Sequence, residues 1–181
     1  QATATTSTQA LTITVTDAVT AAQGALIVAA TSVGTVDFSA AGVSDTFANL
    51  ATGSAVTTAM QAIDAKDANV NVTVTDTITT ATAQNITDLN LLMNATTGTV
   101  TGTISGAAAE LDGIQATATT STQALTITVT DAFSLAQGAL ISAATSGVVT
   151  FTQTLSDSFG NLVSGGGVGT LVADLTTLVS T

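Results

Sequence analysis

Apolar and polar residues alternate one by one through Leu11–Asp17 (LTITVTD), so that Leu11, Ile13 and Val15 fall on one side of an extended chain and Thr12, Thr14 and Thr16 on the other. A period of two belongs to a half-buried strand, and β-branched side chains suit that pleated surface. The same alternation returns at Val70, Val72 and Val74, at Val100 and Ile104, and at Leu125, Ile127 and Val129. Each run closes on Asp or Gly. There the spacing changes to that of a helix, as in Ile86, Leu89, Leu92 and Met93 or in Ala136, Leu140 and Ala143. The pattern predicts a strand followed by a short helix, over and over.

The repetition is literal in places. QATATTSTQALTITVTDA, Gln1 to Ala18, recurs letter for letter at Gln115 to Ala132; AQGALI at Ala22–Ile27 matches Ala136–Ile141, and SDTFANL from Ser44 matches SDSFGNL from Ser156. The long period is 114 residues, with a small indel in its second half. Within it runs a shorter period marked by the closing residues Asp17, Asp45, Asp76, Gly106, Asp131 and Asp157, which are 28, 31, 30, 25 and 26 residues apart. That makes six short repeats, the second and fourth the least regular. Residues 1–114 form a first long repeat of four, and 115–181 a second, partial one of two.

One strand and one short helix cannot bury an apolar face alone, so such units stack. Strands joined through helices run parallel. The expected fold is a β-rich repeat protein, one continuous parallel β/α solenoid with a strand plus a short helix or coil in each of about six rungs. Strands stack about 4.8 Å apart and a helix is about 10 Å wide, so either the helical side splays or some of these segments are coils. At the corner from strand to helix, Asp17, Asp45, Asp76, Asp131 and Asp157 are expected to cap their own helices, since a carboxylate accepts from the free N–H groups there. Gly106 serves that turn in the fourth repeat. Gly34, Gly98 and Gly147 mark the return corner, where a positive φ is expected.

Composition narrows the chemistry. There is no His, Cys, Trp, Tyr or Pro among 181 residues, and Lys66 is the only basic residue against twelve acids, a formal charge of −11. Most acid/base, nucleophilic and metal chemistry lacks its usual side chains, so no enzyme is expected and no catalytic or cofactor-binding residue is assigned. Phosphates could not be neutralised, which argues against nucleic acid. No apolar run approaches the roughly 20 residues of a spanning helix, which argues against membrane insertion. The chain opens on Gln1 and reads as a mature product or a segment of something longer.

Three features remain as candidates. A column formed by Asp17, Asp45, Asp76, Asp131 and Asp157 at strand spacing is a weak calcium site, against the plainer reading of helix caps. Threonines face outward at Thr12/Thr14/Thr16, Thr73/Thr75, Thr99/Thr101/Thr103, Thr126/Thr128/Thr130 and Thr150/Thr152/Thr154. Such a ladder resembles an ice-binding solenoid, against the reading of an ordinary solvated sheet face. Asn71, Asn85 and Asn94 begin N-x-T triplets, which chance supplies freely in a threonine-rich chain. Asp64, Lys66 and Asp67 are expected to form a solvated bend.

With ITVTDA (Ile13–Ala18), VTVTDT (Val72–Thr77) and VSDTFANLATG (Val43–Gly53), the sequence resembles the Thr/Asp/Ala-rich tandem repeats of giant secreted cell-surface proteins of cyanobacteria and proteobacteria. That resemblance implies an extracellular or cell-surface location and a structural role in a filament, surface layer or matrix. The expected partner is the chain itself, adding head to tail at open solenoid edges. The alternative is the stalk or binding region of a large adhesin.

Overall fold

Strand-then-helix order carries through the described residues except in the second short repeat. The computed structural model describes residues 10–115 and 123–163. In chain order the elements are β1 (Thr12–Thr14), α1 (Ala21–Ala29), β2 (Thr35–Asp37), β3 (Val43–Asp45), α2 (Phe47–Leu50), β4 (Ala51–Thr52), β5 (Ala55–Val56), α3 (Thr58–Asp64) and β6 (Val72–Ile78), followed by α4 (Ala83–Ala95), β7 (Val100–Gly106), α5 (Ala108–Leu111), β8 (Ala124–Val129), α6 (Leu135–Ala143), β9 (Val149–Phe151) and α7 (Phe159–Val163). The fold is α/β, with a mostly parallel five-stranded sheet in the order β3-β6-β7-β8-β9. A two-stranded sheet pairs β1 with β2 in parallel, Ile13 opposite Val36, and β4 with β5 makes a small antiparallel hairpin.

The strands follow the alternation. In β6, Val72 and Val74 are buried while Thr73 and Thr75 are exposed; in β8, Leu125, Ile127 and Val129 are buried and Thr126 is exposed. Register keeps like with like: Val43 faces Val72, and Ile127 and Thr128 face Val149 and Thr150. The helical segments are true helices, but α2 and α5 are single turns of four residues.

The second short repeat departs most from the simple unit. Its strand is split into β2 and β3 by a turn in which Ala41 N–H and Gly42 N–H both donate to Phe38 O, with Gly42 at φ +73°. After α2 the chain inserts the β4–β5 hairpin, whose turn residues Gly53 and Ser54 both have positive φ, as a right-twisted two-residue hairpin turn requires.

Two compact units share the chain. The first holds the described residues up to Asp76 and Asp88–Thr101; the second holds Thr77–Thr87 and the described residues from Gly102 on. In the first, Phe38, Leu50, Met60, Ile63, Leu89, Leu92 and Met93 are fully buried and α1 packs on α3. The two helices approach closely at Gly24, where a Cβ would lie 2.6 Å from Ile63 Cδ1 and push that side chain aside. In the second, Ile104, Leu111, Leu125, Ile127 and Ile141 are fully buried, α5 packs on α6, and Phe133 stacks on Phe151 with ring centroids 4.3 Å apart.

Two local expectations change. The return-corner glycines Gly34, Gly98 and Gly147 do not have positive φ; a Cβ there would lie 2.0 Å from Leu11 O, 2.3 Å from Val70 O and 2.3 Å from Leu125 O respectively. Glycine is required because the chain turns directly over a carbonyl of the preceding strand. Helix α6 forms where expected, but Ala136, Leu140 and Ala143 lie on its exposed face, and Gly138 and Ile141 are buried instead. In an alanine-rich helix the apolar spacing fits more than one face, and packing selects among them.

Candidate functional site

The acids at the strand ends form the most regular polar feature of the protein. Asp45 Oδ2 accepts the N–H of Ala21 at 3.0 Å, Asp76 Oδ1 that of Phe47 at 2.6 Å, Asp131 Oδ1 that of Ala108 at 2.7 Å and Asp157 Oδ2 that of Leu135 at 3.0 Å. Each donor is the first residue of a helix, and each helix belongs to the preceding short repeat. The acids therefore clip one repeat to the one before, where the sequence suggested caps on their own helices. Parallel stacking is the reason: it brings the end of one strand beside the point where the previous chain segment has just left its strand. The bridges Val19–Val43 and Phe133–Leu155 set this alignment in both copies of the long repeat.

Helices α1, α3, α4 and α6 take their own caps from residues nearer by, whereas α2 and α5 have no side-chain cap at their N-cap residues. Thr20 with Gln23, and Ser134 with Gln137, form reciprocal capping boxes on α1 and α6. Thr57 caps α3, and Thr82 with Asn85 does the same at the start of α4. The S/T-x-x-Q/N signature stands in the sequence at Thr20, Thr82 and Ser134, but not at Thr57. Gly106 interrupts the acidic series because Ala81 packs against it; a Cβ there would sit 2.7 Å from Ala81 Cβ.

Asp45 and Asp157 each do more. Oδ1 of Asp45 accepts Thr46 N–H and the Asn49 side chain, and Oδ1 of Asp157 accepts Ser158 N–H and the Asn161 side chain. Burial pushes the Asp45 carboxyl up, but Asn49 and the N–H groups of Thr46 and Ala21 together outweigh it and hold it below its ordinary value. At Asp157, Asn161 and then the N–H groups of Ser158 and Leu135 do the same with little opposition. Asp17 is exposed and takes part in no clip among the described residues.

A buried threonine ties down each return corner. The Thr96 hydroxyl donates to Val70 O at 2.6 Å and accepts Gly98 N–H; the Thr145 hydroxyl donates to Leu125 O at 2.9 Å and accepts Gly147 N–H. Thr31 accepts Gly34 N–H in the same manner. An Ala-Thr pair shortly before the corner glycine is the sequence signal for this device, at Ala30-Thr31, Ala95-Thr96 and Ala144-Thr145.

The cluster at Asp64, Lys66 and Asp67 is not a solvated bend. Asp67 is 7% exposed and accepts Phe38 N–H at 2.6 Å, while Lys66 Nζ donates to Ser32 O and Gly34 O. Asp64 Oδ1 is buried with no partner; burial, and then the charge of Asp67, raise the Asp64 carboxyl above its ordinary value.

For metal chemistry, among the described residues no three acidic side chains come together. Calcium takes six to eight oxygens, whereas Asp45, Asp76, Asp131 and Asp157 each stand as single carboxylates engaged by backbone donors. Of the N-x-T asparagines, Asn71 accepts Thr99 N–H and donates to Ser39 O, and Asn85 is committed to its cap; Asn94 is exposed. None of the outward threonines is buried, and Thr101 donates to Thr73 Oγ1 at 3.1 Å along the ladder. No helix among the described residues is long and apolar enough to cross a membrane. Comparison with family models, with curated proteins and with solved structures finds no match.

Proposed function

We propose that the protein is a structural repeat of an extracellular filament, surface layer or matrix, whose strand–helix units form the rungs of a parallel β/α solenoid and add end to end. The carrying observation is the clip in which an Asp holds the first helical N–H of the preceding repeat, made four times with the same chemistry. Such a clip gives each repeat a specific attachment to its neighbour, the requirement of a chain that stability builds up unit by unit. A single basic residue in 181 leaves one site for a trypsin-like protease, in keeping with a location outside the cell. Electron cryo-microscopy at rising protein concentration tests the reading: filaments of continuous solenoid are expected, and persistent monomers sink it.

A second reading, the stalk or binding region of an adhesin, draws on the outward threonine rows, with Thr128 in register with Thr150 and Thr101 bonded to Thr73. An ice-binding surface is its narrower form. A stalk remains monomeric with its natural flanks restored, so concentration dependence separates it from the filament.

A further inference from the structure

Strands β1 and β8 lie in the two identical stretches and have different neighbours. On the side of β8 facing the preceding repeat, Thr130 N–H donates to Gly106 O and Asp131 Oδ1 accepts Ala108 N–H. Leu125 is 1% exposed in that setting. The corresponding side of β1 carries no strand among the described residues, since β1 pairs with β2 alone. Leu11, the counterpart of Leu125, is 42% exposed, and Asp17, the counterpart of Asp131, is exposed with no hydrogen bond to a described residue. The same residues that complete an interface inside the chain thus recur on an edge that is open among the described residues.

We infer that this edge of β1 is the docking site for a second copy of the chain, which presents the outer edge of β9. Strand β9 ends the order of the five-stranded sheet, and Val148 beside it is 49% exposed. The occupant is a copy of this chain because the sequence of β1 is shown, at β8, to be fitted to a parallel strand of this same chain. In the junction, parallel pairing continues from one copy to the next, Leu11 is covered as Leu125 is, and Asp17 takes a backbone N–H of the incoming copy. With −11 on each copy, long-range repulsion opposes the approach, so added salt favours assembly.

The inference rests on the filament reading and is tested beside it on the full chain. Wild type, Leu11→Glu and a control, Leu26→Glu on the exposed face of α1, are compared by sedimentation velocity over a concentration series in 0.5 M salt, roughly enough to screen the repulsion. The expected result is polymer for wild type and control, and a rise of roughly a hundredfold in the concentration needed by Leu11→Glu, whose charge would be buried at the junction. Polymerisation of Leu11→Glu at the wild-type concentration overturns the β1 junction and leaves the filament reading standing. A wild type that never associates removes both. The absence of cysteine permits a second measurement that does not depend on that variant folding: Thr12→Cys chains mixed with Thr150→Cys chains and oxidised. Mixed dimers in excess over like dimers are expected, and a statistical mixture overturns the junction.

Discussion

The stretch ALTITVTDA occurs twice, at residues 10–18 and at 124–132, and its two settings form a comparison in which sequence is held constant. At the second position it gives β8, six residues long, lying between β7 and β9 with Leu125, Ile127 and Val129 at 1% exposure or less. At the first it gives β1, three residues long and bonded among the described residues on one side only, with Leu11 at 42% exposure. Strand propensity and alternation are the same in both, so the difference in length and burial comes from neighbours alone. A strand in this protein is a local preference that adjacent repeats complete.

The largest test of that comparison is Val129→Asp. Val129 is wholly buried, and an unpaired carboxylate there costs more than about 4 kcal/mol, enough to abolish a cooperative unfolding transition. The same change at Val15, the repeat counterpart, is expected to cost less because one side of β1 carries no strand among the described residues. Equal losses in the two variants would mean that the edge is covered in solution.

Truncation gives a smaller effect in the same sense. Leu125→Ala is expected to lower stability by about 2–4 kcal/mol and Leu11→Ala by under about 1 kcal/mol, read from urea denaturation. A contrast of this kind should disappear in assembled filaments, where Leu11 is covered.

The smallest effect concerns the next pair of repeat counterparts, Asp45 and Asp157, which hold the same set of donors. Both carboxyls are lowered from an ordinary 3.8 in the folded protein. Their contribution is therefore present above that value and is lost as pH falls below it through the folded pKa. Asp45→Ala costs about 1 kcal/mol at pH 7 and nothing once the carboxyl is protonated in wild type. Asp157→Ala, at a more open site, costs less. Asp64 acts in the opposite sense, since its raised carboxyl makes the ionised form unfavourable and the fold gains as pH drops from neutral towards 3.8. Thermal unfolding of the variants between pH 7 and pH 3 checks both signs.

Much of the local structure was legible. The Val72–Val74 and Leu125–Val129 alternations gave strands with the expected faces, and Ile86, Leu89, Leu92 and Met93 gave the buried side of α4. Large apolar residues at a clear period leave one solution. The α6 face was not legible because its alanines, its glycine and the neighbouring Leu140 and Ile141 fit several faces, and Leu140 stayed exposed as Leu26 did. The acids were found from sequence, but their partners lie 22 to 29 residues earlier, out of reach of any local rule. Likewise Gly34, Gly98 and Gly147 were recognised as corner residues for the wrong reason. The constraint is a carbonyl of another strand, which no local dihedral argument contains.

By itself, then, the sequence determined the period, the strand-to-helix order of the regular repeats and the inward side of strands such as β6 and β8, because side-chain alternation and helix spacing are properties of neighbours in the chain. The tertiary structure alone decided which helix each aspartate holds, where a strand is split, which glycines are crowded and which copy of an identical segment is an edge. Those depend on what parallel pairing brings alongside, and that is set by the register between segments far apart in the chain.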